Sequence, residues 1–420
     1  MKLVLERKSG KLAWFAWTAA VIFYLYEYLV RVAPSVMEHE LAVEFSASHA
    51  TMAAALASYY TVYAPLQLFA GVLFDKFGGR TILVPACVIV SLGCLLPIIP
   101  SHSLGFITAG RILAGVGSSC AFIGVMYLAA IWFHDNRLAF LSGLATSLGI
   151  CGAFGQTPLS RLMDFAGWKF SFLIMAILGV VVTAVMCIYI PNTPRWELEK
   201  RSALSDSTSL KNFFSGLISV CKNKQTWLIG LVGACLYGPL VVFGDLWGVE
   251  YAECALGLPK AEATRVSGML YLGWLVGSPI AGLLSDMIKC RRKLLVQGAF
   301  ASTILFTIVL MCPIKSPFIL GLLLFFAGVC STPEVVCFVA SIEVNAPDAK
   351  GSAVAVVNMI VMFVGGICQQ VVGWLLEVKS PASDGAITFE TFRNSLLIMP
   401  VLTLIGLVLS FRMRKGINTN

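Results

Sequence analysis

Glu27 and Arg31 lie four residues apart inside an apolar run that reads Tyr24-Leu25-Tyr26-Glu27-Tyr28-Leu29-Val30-Arg31-Val32-Ala33-Pro34-Ser35. An ionisable side chain at the centre of a bilayer costs about 2.5–3.5 kcal/mol on the mildest scales, so such residues mark pathways, proton relays or paired charges. On a helix Tyr24, Glu27, Arg31 and Ser35 share one face, and an acid and a base at i,i+4 are within pairing reach. Two chemistries are open to this face. The pair can be a neutral structural unit. Alternatively Arg31 binds an anionic group through its bidentate fork, which suits carboxylate or phosphate, while Glu27 takes up a proton or competes for Arg31.

Further polar residues sit in the later apolar runs. Arg111 serves either a helix scaffold or proton coupling. Glu334 follows Pro333, whose missing N–H frees a carbonyl and breaks the helix where a substrate can sit; substrate binding or proton coupling is expected there, against a structural pair. Tyr59, Tyr63 and Gln67 recur at i, i+4 and i+8, Tyr271 and Trp274 at i, i+3, and Asn358 and Gln369 at i, i+11. Tyr237 opens the segment that runs to Trp247, and Asp245 near its end is placed at a gate. Aromatic stripes serve packing as well as ligand contact, whereas amides inside apolar helices seek partners. The candidate substrate contacts are therefore Arg31, Tyr24, Tyr28, Tyr59, Tyr63, Gln67, Tyr237, Tyr271, Trp274, Glu334, Asn358 and Gln369. The candidate proton-coupling residues are Glu27, Glu334 and Arg111.

The elements that must position these residues follow from composition. The chain has 420 residues, 58% hydrophobic and 12% charged, about half the charge of a soluble domain. A helix needs about 20 apolar residues to cross a bilayer. Twelve stretches qualify, near 12–36, 50–74, 80–100, 104–131, 138–161, 168–190, 226–247, 264–285, 293–313, 317–341, 351–376 and 393–412. They are long and continuous, which excludes a barrel of short alternating strands. The net charge of +8 reflects the positive-inside rule rather than nucleic acid. Lys2, Arg7, Lys8, Lys76, Arg80, Arg137, Arg195, Lys200, Lys211, Lys289, Arg291, Lys350, Arg414 and Lys415 all fall on one side, while the loop with Glu38, Glu40 and Glu44 is acidic. Both termini are thereby expected in the cytoplasm. Most of the 13 cysteines lie inside apolar runs without a CxxC pair and read as small hydrophobes. His39, His49, His102 and His134 have no metal-ligand company, so no metal, cofactor or enzymatic site is expected. The short loops and the lack of an Asn-x-Ser/Thr sequon favour a bacterial inner membrane, and the first apolar run is too long for a cleavable signal.

The chain also repeats itself. Gly71-Val72-Leu73-Phe74-Asp75-Lys76-Phe77-Gly78-Gly79-Arg80 returns half a chain later, degraded, as Gly282-Leu283-Leu284-Ser285-Asp286-Met287-Ile288-Lys289-Cys290-Arg291-Arg292-Lys293. Trp132–Arg137 and Glu343–Gly351 follow at matching distances. A duplicated unit is implied: an amino-terminal six-helix bundle at 1–191, a polar, serine-rich linker at 192–225 with an amphipathic segment at 211–222, and a carboxy-terminal six-helix bundle at 226–420.

These residues resemble the major facilitator superfamily. The first hinge matches its Gly-x-Leu-x-Asp-(Arg/Lys)-x-Gly-x-(Arg/Lys) pattern at every defined position. Arg111-Ile112-Leu113-Ala114-Gly115-Val116-Gly117 matches its fourth-helix pattern, and Pro191-Asn192-Thr193-Pro194-Arg195-Trp196 its sixth-helix exit. The resemblance implies an all-α membrane protein of twelve transmembrane helices in two six-helix bundles, a central cavity and alternating access. Gly71, Asp75, Gly78, Arg80 and Asp286 then form a gate and scaffold, with Asp75 capping or pairing at neighbouring helix ends to latch the halves. Tyr28-Leu29-Val30-Arg31 is similar to the organophosphate:phosphate antiporters, and an arginine beside an acid in the first helix is similar to anion:cation symporters for sugar acids. The antiporters' second arginine has no equivalent in Tyr237–Trp247, and Val32 stands where they carry lysine. One arginine among acids suits a monocarboxylate or an amino acid better than a phosphate ester. The expectation is a secondary active transporter of a small carboxylate-bearing metabolite, by proton symport, as a monomer in the lipid bilayer. The alternative is an exporter or antiporter of drugs, siderophores or organophosphates; the fifth stretch lacks the Gly-Pro pair of drug antiporters.

Overall fold

The computed structural model describes residues 10–33, 37, 40, 41, 43–47, 49–99, 103–192, 214–379 and 389–414. The expectations for Pro34, Ser35, Glu38, His39, His102, the linker from Thr193 through residue 213, the basic residues 2–8 and Lys415 lie outside the described residues.

Among the described residues every regular element is helical: α1 (Lys11–Val32), α2 (His49–Phe77), α3 (Gly79–Leu95), α4 (Leu104–Ser118), α5 (Ala121–Trp132), α6 (Leu138–Cys151), α7 (Gln156–Tyr189), α8 (Ser215–Lys222), α9 (Lys224–Pro239), a π-helical segment (Leu240–Trp247), α10 (Gly248–Leu256), α11 (Lys260–Ile288), α12 (Arg291–Met311), α13 (Pro317–Ser331), α14 (Val335–Glu343), α15 (Lys350–Lys379), α16 (Phe389–Leu396) and α17 (Ile398–Ser410). Ten of the twelve apolar stretches appear as helical spans long and apolar enough to cross a membrane. The second stretch is the 29-residue α2. The fifth begins as the 14-residue α6 and passes through a 3-10 turn at Gly152–Gly155 into α7, which breaks at Gly167, φ 79°. The amphipathic segment expected at 211–222 is helical over α8.

Local chemistry sets the ends. Ser103 and Asn223 accept from the N–H groups of Gly105 and Gln225 to start α4 and α9, as N-cap side chains do. Gly78, φ 80°, turns the chain between α2 and α3 at an angle that a side chain resists. Close approach rests on small residues. Gly93 and Gly110 face each other's carbonyls at 2.7 and 2.6 Å from where a methyl would sit. Gly115 brings α4 onto the Tyr59 carbonyl, and Gly117 brings it onto that of Ala86.

The chain divides into two compact units. The first comprises 1–135, 148–220 and 346–355; the second comprises 136–147, 221–345 and 356–420. The opening turns of α6 and α15 thus belong to units other than those that hold the rest of each helix. Each unit carries one copy of the hinge. In the first, Asp75 sits at the start of α15: Gly351 N donates to Oδ1 at 2.8 Å, and Ser352 N and Oγ donate to Oδ2 at 2.9 and 2.7 Å. In the second, Phe140 N, in the first turn of α6, donates to Asp286 Oδ2 at 2.9 Å. A carboxylate suits a helix N-terminus because the free N–H groups and the dipole both favour negative charge. Gly71 permits the first approach, since a methyl there would lie 2.7 Å from Ala355 Cβ and 2.8 Å from Gly351 O. The repeat extends to arginines at helix exits. Arg80 Nη1 donates to Ile190 O at 3.1 Å, and Arg292 Nη1 donates to Met413 O at 3.3 Å.

Candidate functional site

In the first unit the sequence-selected residues of α1, α2 and α4 converge. Glu27 and Arg31 form a two-pronged ion pair, with Arg31 Nε donating to Oε1 at 3.0 Å and Nη2 to Oε2 at 2.9 Å. The side chains are 0% and 7% exposed. Tyr59 Oη donates to Glu27 Oε1 at 2.5 Å. The Arg31 guanidinium lies over the Tyr28 ring at 4.3 Å and 5.4 Å from the Tyr63 ring, in the range of cation–π attraction. Tyr59 and Tyr63 stack with centroids 5.5 Å apart. Tyr24 packs edge-on to Tyr28 and against Phe122. Gln67, one turn beyond Tyr63, is fully buried, and neither of its amide atoms has a hydrogen-bond partner among the described residues.

Arg111 explains why this cluster is held where α1 ends. Its Nη1 donates to Val30 O at 3.0 Å, Nη2 to Arg31 O at 3.3 Å and Nε to Leu56 O at 3.2 Å. The last carbonyls of a helix have no partner within it, and Arg111 satisfies two of them. Its guanidinium also lies 4.5 Å from the Tyr59 ring. The motif Arg111-x-x-x-Gly115-x-Gly117 therefore reads as one device. The arginine caps α1, while Gly115 admits α2 at Tyr59 itself.

In the second unit the selected residues fall into separate groups. Tyr237 meets Trp274 edge-on at 5.4 Å. Trp274 is fully buried, and its Nε1 has no partner among the described residues; the same holds for Nδ2 of the buried Asn358. Tyr271, three residues before Trp274, turns elsewhere and donates its hydroxyl to Asp245 in the π-helical segment. Gln369 Nε2 donates to Val241 O at 3.3 Å, and Trp247 Nε1 to Gln369 O at 3.4 Å. The wider turns of a π-helix displace carbonyls from the regular ladder, and Val241 supplies one to Gln369. Glu334 ends a 3-10 turn, Thr332–Glu334, between α13 and α14. It is 2% exposed and has no hydrogen-bond or ion-pair partner among the described residues.

Sequence reasoning did not select Ser352, Phe140 or Glu343 as partners of the two hinges. Arg291 pairs with Asp286 at 3.0 Å and with Glu343 at 2.9 Å. The serine and glycine that open α15 were the available signal for the Asp75 contact; the approach of Phe140 to Asp286 has none in local sequence.

The sequence model of the Major Facilitator Superfamily matches residues 16–368. The chain belongs to this superfamily. It is a multi-pass membrane protein with the superfamily's all-helical fold. It is 24% identical over 264 residues to Probable anion transporter 5 of Arabidopsis thaliana, covering 60% of this chain and 61% of that protein. The alignment thus spans about three-fifths of that relative's length. It is 22% identical over 306 residues to the Hexuronate transporter of Bacillus subtilis, covering 69% and 70%. The crystal structure of the E. coli fucose:proton symporter FucP superposes with a TM-score of 0.72 at 15% identity, covering 96% of this chain and 98% of that one. That likeness concerns the superfamily fold.

Proposed function

We propose that this chain is a secondary transporter that moves a small carboxylate-bearing metabolite, an organic acid or an amino acid, by alternating access in symport with a proton. The observation that carries the reading is the buried Glu27–Arg31 fork with its tyrosine floor. A proton added to a Glu27 oxygen removes the charge that holds Arg31, and the planar guanidinium is then free to present two parallel N–H groups to a substrate carboxylate. Tyr59 keeps the neutral acid in place. When the proton leaves, Glu27 reclaims Arg31 and the substrate is released. Substrate and proton are coupled because each is favoured where the other is bound. Arg111 acts in this scheme by positioning the last turn of α1.

Two relatives, Probable anion transporter 5 and the Hexuronate transporter, support an anionic substrate. Glu334 is proposed as a second proton or substrate site, and Tyr237, Trp274, Asn358, Tyr271 and Gln369 as further substrate contacts. Bundles at 1–191 and 226–420, the linker at 192–225, twelve spans, cytoplasmic termini, a monomeric state and a bacterial inner membrane complete the proposal.

The test begins with thermal unfolding of the purified protein against pools of organic acids, amino acids and sugar phosphates. A ligand that binds the folded state raises the midpoint. A rise with one carboxylate pool, followed by uptake of its members into proteoliposomes, is the expected result. Arg31→Ala should abolish uptake; Glu27→Gln should retain exchange and lose accumulation driven by a pH gradient. Undiminished accumulation in Glu27→Gln would sink the proton role. A rise with lipophilic cations alone would replace the reading with efflux.

A further inference from the structure

The positive-inside rule decides which side of a membrane basic residues take, but it does not require them to converge. In the second unit they do. Lys289 closes α11, Arg292 and Lys293 open α12, Lys224 opens α9, and Arg412 and Arg414 follow α17. Hydrogen bonds draw these chain ends together. Arg292 spans from α12 to Met413 O, with its guanidinium 5.9 Å from the Phe411 ring. The Arg414 N–H reaches Gln225 Oε1 at 3.3 Å, beside Lys224. Two acids of the second unit on this side, Asp286 and Glu343, both pair with Arg291. Among the described residues none of these six has an acidic partner, and all but the half-buried Arg292 are exposed.

Two aromatic rings accompany the charges. Trp227, 42% exposed, stands where α9 enters its apolar run, and Phe411, 54% exposed, where α17 leaves its own. Tryptophan marks the headgroup level of a bilayer, which places Trp227 there, and clusters of four to eight basic residues beside a span read as sites for anionic lipid.

We infer that the second unit binds the headgroup of an anionic phospholipid at this cluster. Arg292, Lys293 and Arg414 meet the phosphate, and the exposed Phe411 and Trp227 rings meet the acyl chains. The bound lipid holds the 289–293 turn, and that turn also carries Arg291, the partner of the Asp286 carboxylate that caps α6. The assignment does not depend on which solute the protein carries.

Native mass spectrometry of the full chain, released from nanodiscs of phosphatidylcholine with a fraction of phosphatidylglycerol, tests it. The expected result is selective retention of phosphatidylglycerol, lost in the combined variant Arg292→Gln, Lys293→Gln, Arg412→Gln, Arg414→Gln. The charge-preserving variant Arg292→Lys, Arg412→Lys, Arg414→Lys should keep it. Equal retention of the two lipids, or full retention in the glutamine variant, overturns the inference. Displacement of the lipid by inorganic phosphate assigns the cluster to soluble anions and overturns it too. If the glutamine variant fails to fold, the native chain decides: retention must exceed that of phosphatidylcholine and fall as salt rises.

Discussion

Tyr59 joins three charged side chains in one contact set. Its hydroxyl donates to Glu27, its ring lies under Arg111, and its stacked neighbour Tyr63 faces Arg31. Tyr59→Phe keeps the ring and removes the donor. A hydrogen bond to a charged group is worth about 1.5–3 kcal/mol, so a stability loss of that order is expected in thermal unfolding, together with an altered pH profile of uptake. An unchanged profile would remove Tyr59 from the proposed proton coupling. Arg31→Ala leaves Glu27 buried without its base, a cost of about 3–5 kcal/mol; the double variant Arg31→Ala, Glu27→Ala should recover part of that stability without recovering transport. The pair itself was legible from the i,i+4 spacing of a base and an acid in an apolar helix. Tyr59 was selected as a substrate contact, but its bond to Glu27 was not legible, because the two lie 32 residues apart and nothing in a single sequence states which faces of two helices meet.

The helices do more than carry these side chains. Arg111 and Gly115 make α4 a ruler that sets both the end of α1 and the depth of α2. A methyl at Gly115 would lie 2.5 Å from the Tyr59 carbonyl. Gly115→Ala should therefore lower stability by about 1–3 kcal/mol, the usual cost of overpacking, and reduce uptake by more than stability explains; normal uptake would show that α2 tolerates the shift. Asp75 plays a comparable part at the start of α15, where it takes three donors. Asp75→Ala should cost about 0.5–2 kcal/mol as a lost cap, and Asp75→Asn less, measured by thermal unfolding. Equal losses would mean that both accepting oxygens are needed, since an amide keeps one acceptor and turns a donor toward the remaining donors. The hinge was readable because its glycines and acid recur in fixed order. Its partners at Gly351 and Ser352 were not. The break of α13 at Pro333 was readable from proline chemistry, whereas the π-helical segment and the diverging directions of Tyr271 and Trp274 depend on tertiary contacts.

The duplication visible in the hinge sequence reaches details that the sequence does not advertise. Arg80 with Ile190 and Arg292 with Met413 are equivalent clasps, each closing the exit of a helix onto the start of another. Arg80→Gln and Arg292→Gln should each lower the thermal midpoint modestly, and the double variant additively, since separated sites with no shared partner add. A strongly non-additive result would mean that the units do not unfold independently. The apolar stretches and their order were legible because bilayer thickness sets the length of each span. The composition of the two compact units was not, because it depends on where the first turns of α6 and α15 pack. That arrangement bears on how the protein is made. Residues leave the ribosome in order, yet the first unit includes residues 346–355. Asp75 is synthesised and inserted long before the N–H groups of Gly351 and Ser352 exist to donate to it. Throughout that interval the nascent amino-terminal helices carry a hinge acid without the three donors of α15, so a chain arrested before Lys350 should be a preferred substrate of membrane quality-control proteases.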